Sequence, residues 1–192
     1  MRQRHLAPLL ATAATVLAVA AACAPEERVP EVAADRSCFG ARVLSFRDLV
    51  AEVVIPAGET CEGGSFQVVF TRDGDTLSTL TETRVGTVGF IGTADVDGDG
   101  RGEFFVSTAS IDAEARGALY AYTDGENGIS RFVLTPLDSA QMQGYAGHDR
   151  FGFGGGDLLV RAFPRAEGDT AWYGYSQGTK QWNSVKRPSW VR

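Results

Sequence analysis

From Val43 onward the chain is a succession of short runs of aromatic and β-branched residues, each closed by Gly, Asp or Asn. Nowhere does it hold an amphipathic helical period over a useful length. That pattern restricts the fold to an all-β one. Ser65-Phe66-Gln67-Val68-Val69-Phe70 alternates, which puts Phe66, Val68 and Phe70 on one face of a strand, and Arg72-Asp73-Gly74-Asp75 reads as the turn after it. Further strands are predicted at 43–55 with a break, 77–85, 87–94, 103–108, 118–122, 129–135, 158–163, 171–175 and 181–185. Asp124-Gly125 with Asn127-Gly128 is a strong hairpin signal and Gln177-Gly178 a weaker one. Only Asp138 to Tyr145 reads as a helical turn. Closely spaced strands with Gly-rich turns predict sequential antiparallel pairing in a single β-sandwich domain over residues 37–192.

The amino terminus has a different character. Arg2 and Arg4 precede an apolar run from Leu6 to Ala22 that is broken by Pro8 and ends in Ala20-Ala21-Ala22-Cys23. A charged segment, a short apolar segment and small residues before a Cys form an export signal over 1–22, with Cys23 the lipidated first residue of the mature protein. Ordinary cleavage after Ala22 and a retained membrane anchor are the alternatives, the run being marginal for the roughly 20 apolar residues of a spanning helix. Residues 23–36, with two prolines and four acids, read as the lipidated Cys and a flexible tether. The expected location is the periplasm-facing side of an outer membrane, held by the lipid anchor alone. Of three cysteines, Cys23 takes the lipid and Cys38 and Cys61 are left to close a disulfide in an oxidising compartment, a closure worth about 3 kcal/mol by chain entropy. The net charge of −6 becomes more negative once Arg2 and Arg4 are removed, which suits a cationic partner and argues against nucleic acid.

The stretch with the most specific chemistry is Asp95-Val96-Asp97-Gly98-Asp99-Gly100-Arg101-Gly102-Glu103. Carboxylates at loop positions 1, 3, 5 and 9, a carbonyl from Arg101 at position 7 and a bend at Gly100 are what a structural Ca²⁺ requires. Position 12 is Val106 where an EF-hand needs Glu, so the loop resembles instead the calcium loops of β-propeller repeats in integrin α-chains. An acidic turn that binds nothing is the alternative. Catalytic patterns are weak. His148 is the only histidine after the leader, and no GxSxG accompanies it. The FGFGGG run at 151–156 lacks phosphate-loop residues and reads as a turn or bulge. Zinc lacks ligands. Trp172, Trp182 and Trp190, with Tyr173 and Tyr175, form either core or a sugar-stacking platform.

Read together, Leu49-Val50-Ala51-Glu52, Gly63-Gly64-Ser65-Phe66, the 94–107 segment, Gly144-Tyr145-Ala146-Gly147-His148-Asp149-Arg150-Phe151-Gly152-Phe153 and Leu159-Val160-Arg161-Ala162-Phe163-Pro164 resemble the periplasmic inhibitors of invertebrate-type lysozyme. His148, Asp149 and Arg150 lie in the most specific part of that likeness. The resemblance implies a non-catalytic antiparallel β-sandwich that places a loop in the cleft of a lysozyme-type glycosidase, where small hydroxyl residues and a Tyr bond its catalytic carboxylates. Ser107, Ser110 and Tyr120 are the residues here that would do so. The segment departs from the family by carrying Asp112 and Glu114, which would meet those carboxylates with like charge. A Ca²⁺-stabilised envelope module that binds glycan or a surface protein is the second expectation, and a hydrolase using His148 the third.

Overall fold

The computed structural model describes residues 43–60, 62–155, 157–176 and 179–189. The leader, Cys23, the tether, Cys38, Cys61, the Gln177-Gly178 turn and Trp190 lie outside the described residues. Twelve strands form three antiparallel sheets, each a run of four consecutive strands. The first holds β1 (Val43–Phe46), β2 (Leu49–Val54), β3 (Gly63–Arg72) and β4 (Asp75–Val85); the second, β5 (Thr87–Ala94), β6 (Glu103–Ala109), β7 (Gly117–Gly125) and β8 (Gly128–Arg131); the third, β9 (Arg150–Phe153), β10 (Leu159–Pro164), β11 (Thr170–Ser176) and β12 (Gln181–Ser184). The protein is therefore the antiparallel, all-β, sandwich-type fold that the strand pattern predicts. Among the described residues no helix is long and apolar enough to cross a membrane.

The second sheet is covered on both faces, and its sequence says so. Strand β6 is buried at six successive positions, Glu103 to Thr108. A strand with one wet face would alternate; one buried twice does not. Phe104, Val106 and, from β7, Tyr122 pack against Ala51, Val53, Phe66, Val68 and Phe70 of the first sheet. Phe105 and Ala121 turn the other way, toward Leu159, Phe163, Tyr173, Tyr175 and Trp182 of the third. Edge-to-face ring pairs bridge each interface, Phe70 to Phe104 at 5.4 Å and Phe105 to Phe153 at 5.8 Å.

A single residue, Gly86, joins the first sheet to the second. Its φ is 85°, and a Cβ there would lie 1.6 Å from the Ala109 carbonyl oxygen, so only glycine fits. Arg84 fixes the corner from inside. Its side chain is fully buried and donates to the carbonyls of Ser65 (2.9 Å), Gly86 (2.7 Å) and Thr60.

Two local expectations are corrected. The strand predicted at 129–135 ends at Arg131, because Thr135 is engaged elsewhere: its carbonyl accepts from Trp182 Nε1 at 2.8 Å and its hydroxyl donates to the Lys180 carbonyl. The FGFGGG run is not simply a turn, since Phe151 to Phe153 belong to β9 and pair with Leu159 to Arg161. The helical turn at Asp138 is present, closed by reciprocal bonds between Asp138 and Gln141 and by Met142 N–H to the Asp138 carbonyl at 3.0 Å.

Candidate functional site

The acidic turn joins β5 to β6. Asp95, Asp97 and Asp99 offer carboxylate oxygens that all lie within 4.8 Å of one another. The loop also holds itself in shape: Asp95 accepts from Gly98 N–H (2.7 Å) and Gly100 N–H (2.9 Å), and Asp99 from Arg101 N–H (2.8 Å). The Arg101 guanidinium reaches the Asp124 carbonyl at 3.1 Å, and Lys180 Nζ stands 3.8 Å from Asp97. Glu103 is placed behind the loop rather than with the three aspartates. It is fully buried, accepting from Val96 N–H at 2.8 Å and Thr123 Oγ1 at 3.1 Å. Burial, with the charges of Asp97 and Asp99 adding to it, pushes its carboxyl up to about 7. Three crowded aspartates on a tight turn form a group that could hold a hard cation.

The second site is the 110–116 loop between β6 and β7. Asp112 organises it, one carboxylate oxygen accepting from Ser110 Oγ (2.8 Å), Glu114 N–H (3.1 Å) and Ala115 N–H (2.8 Å). Those bonds, that of Ser110 foremost, hold the Asp112 carboxyl below the usual range. Ser110 also accepts from Arg116 N–H at 2.9 Å, and Arg116 pairs with Glu114 at 2.5 Å. At the tip Ile111 is 61 % exposed.

The loop is held from outside by the Gly147-His148-Asp149 run. His148 N–H donates to the Glu114 carbonyl (2.8 Å) and the Ala115 carbonyl (3.1 Å). Gly147, at φ 76°, lies so close that a Cβ would sit 1.6 Å from the Glu114 oxygen. The Asp149 side chain is fully buried and accepts from Gly117 N–H at 2.8 Å, from Arg161 Nε at 2.7 Å and from the Tyr145 hydroxyl. Arg161 in turn lies 5.5–5.8 Å from the rings of Tyr145, Phe151 and Phe163. Burial, then the bond to Asp149, pushes the Tyr145 phenol up to about 12.

The three hydroxyl residues expected at a partner's carboxylates are thus placed differently from one another. Ser107 is buried in β6, where its hydroxyl accepts from Phe90 N–H at 2.9 Å across the register break of β5. Ser110 shapes the loop. The Tyr120 hydroxyl donates to the Thr83 carbonyl at 2.7 Å. Ser110 and Tyr120 line one shallow cleft with Asp112 and Arg116, and Ser107 does not. Arg150, also in the signature, is exposed on the outer face of β9. Of the tryptophans, Trp182 belongs to the core, whereas Trp172 is half-buried beside a groove, so the two make no common platform. Composition gave no sign of Ile111, Gly147 or Arg161. Arg161 has one in retrospect: it occupies an inward register position in LVRAFP, and an arginine there needs a buried acid.

Compared with protein-family models, curated proteins and solved structures, the chain matches none. Fold and site define its class at the level of geometry: an antiparallel all-β sandwich-type fold in which, among the described residues, the 110–116 loop is bonded to the Gly147-His148-Asp149 run.

Proposed function

We propose that this is a non-catalytic binding protein of the cell envelope that inhibits a lysozyme-type glycosidase by presenting the 110–116 loop to its active-site cleft. The observation that carries this reading is the contact between two sequence-distant parts. Gly147-His148-Asp149, the core of the resemblance, is bonded to the loop that the resemblance assigns to the cleft. A loop pre-set in one shape loses little conformational entropy on binding, which is how inhibitors of this kind gain affinity.

The like-charge objection is weakened by the same bonds. Asp112 already accepts three donors and Glu114 stands against Arg116, so the acids face their own loop. Ser110 and Tyr120 remain the hydroxyls beside the cleft, and Ile111 supplies the apolar tip. Ser107 has a structural part in this reading. The overall acidic charge steers the protein toward a cationic enzyme. Export, lipidation at Cys23 and the Cys38–Cys61 bridge belong to the proposal as the means of keeping the inhibitor tethered at the envelope. Asp95, Asp97 and Asp99, with the Arg101 carbonyl and Glu103 behind them, would hold Ca²⁺ as a clip between β5 and β6, with no part in any reaction.

The test is a lysis assay with invertebrate-, goose- and chicken-type lysozymes in the presence of the purified protein. Inhibition of the invertebrate-type enzyme near equimolar ratio is expected. Undiminished lysis by all three would remove the reading.

A further inference from the structure

The two hydroxyls beside the 110–116 loop have no proton left to give to a partner. A hydroxyl donates once. Ser110 Oγ has two neighbours: the Asp112 carboxylate at 2.8 Å, which only accepts, and the Arg116 N–H at 2.9 Å, which only donates. Its proton therefore goes to Asp112. The Tyr120 hydroxyl gives its proton to the Thr83 carbonyl at 2.7 Å, again a group that only accepts. An ionised carboxylate brought to this cleft needs donors, and these residues have spent theirs on the loop and on β4.

Arg116 lines the same cleft and is the only basic residue from Ser110 to Arg116. A guanidinium carries five N–H bonds. The one on Nε goes to Glu114 at 2.5 Å, and the Nη atoms have no partner among the described residues. The side chain is 66 % exposed. Two Nη atoms at the end of a guanidinium present parallel N–H bonds, the fork that matches a carboxylate.

The main chain beneath that fork is held from both sides. Arg116 N–H bonds to Ser110 Oγ, and its carbonyl accepts from Ser110 N–H at 3.0 Å, so the two residues close the neck of the loop. Just before it, the Ala115 carbonyl accepts from His148 N–H at 3.1 Å; just after it, Gly117 N–H donates to the buried Asp149 carboxylate at 2.8 Å. A donor group mounted on a root already in place has only its own side chain to order on binding.

Resting on the glycosidase reading, we propose that Arg116 is the residue that engages a catalytic carboxylate of the target enzyme, through its two Nη atoms, while Nε stays on Glu114. A lysozyme-type glycosidase keeps two carboxyl groups flanking the scissile bond, so its cleft is where the one cation of an otherwise acidic loop is favoured. The part that the resemblance assigns to hydroxyls falls here to a guanidinium. Ser110 and Tyr120 shape its surroundings.

Binding of the full chain to invertebrate-type lysozyme, measured by inhibition and by calorimetry, tests this with a double-mutant cycle. Arg116→Ala should weaken binding about tenfold or more, as the loss of a charge-assisted pair does, with Arg116→Lys intermediate. Tyr120→Phe, which removes only a proton already committed, should inhibit as the native chain does. Changing the enzyme's catalytic carboxylates to amides, one at a time, should weaken binding of the native chain for at least one of them and leave that of Arg116→Ala unchanged. Undiminished inhibition by Arg116→Ala beside an inhibiting native chain would overturn the proposal and leave the glycosidase reading standing. So would equal losses for Arg116→Ala toward the enzyme and all its amide variants, the mark of a merely structural part, or a loss confined to Tyr120→Phe. A native chain that neither binds nor inhibits would overturn both.

Discussion

At the scale of single residues, Asp149 has more riding on it than any other group at the loop. Its buried carboxylate is the shared acceptor of Arg161, Tyr145 and the Gly117 amide. Asp149→Ala would leave a guanidinium that is 18 % exposed without its counter-charge, a change that costs about 3–5 kcal/mol when a buried pair is broken. Chemical denaturation should report that loss, and hydrogen exchange should show the Gly117 amide opening first. A loss below about 1 kcal/mol would mean that Arg161 finds another partner. Glu59 gives the pH counterpart. The Ser65 hydroxyl and amide hold its carboxyl below its ordinary 4.5. A carboxylate with a depressed folded pKa contributes stability that is fully present above the unfolded value and lost as pH falls through the folded one. Thermal melts between about pH 6 and pH 3 should therefore fall more steeply for the native chain than for Glu59→Gln; parallel curves would show that the Ser65 bonds do not survive in solution.

At the scale of elements, the corner between the first two sheets depends on Arg84. Three carbonyls from separate segments accept from it inside the protein, and Glu59 is 3.9 Å away. Arg84→Ala would strand those carbonyls without donors, and a loss of about 3–5 kcal/mol in denaturant unfolding is expected. Much of this level was readable in the chain. The alternation in Ser65 to Phe70 and the Asp-Gly turns gave most strands to within two residues, because turn chemistry and period 2 are local properties. What escaped was set by tertiary partners. Thr135 looked like strand until Trp182 and Lys180 took its polar groups, and Phe151 to Phe153 looked like a glycine turn until β10 paired with them. The site divides in the same way. The acidic turn was legible because its carboxylates lie at alternate positions of one short stretch, whereas the loop's anchor joins Glu114 to His148 and Gly117 to Asp149, separations that no local pattern reports. Ser107 was misplaced as a contact residue for a related reason: whether a strand hydroxyl faces a partner or a register break depends on the neighbouring strand.

At the scale of the whole molecule, three four-stranded meanders follow one another and strand β6 of the middle one is buried on both faces, the acidic turn leading into it and the 110–116 loop leading out of it. If the turn holds Ca²⁺, the ion stabilises that central strand. At a hundredfold excess over its dissociation constant a ligand of the native state adds about 2.7 kcal/mol, or about 5–10 °C in Tm for a domain of this size. Scanning calorimetry in Ca²⁺ against chelator should show that rise, and Asp97→Asn should abolish most of it. Superimposed scans would leave the turn as a self-bonded loop without a metal.

The central claim, that a loop locked by Gly147-His148-Asp149 occupies a glycosidase cleft, is tested most directly by titrating invertebrate-type lysozyme with the native chain and Gly147→Ala side by side. The added methyl collides with the Glu114 carbonyl, so the contact between the loop and the Gly147 segment must open. Inhibition near equimolar ratio by the native protein, weakened about tenfold or more in a folded Gly147→Ala chain, is the predicted result. Equal inhibition by the two proteins, or none by the native one, would contradict it.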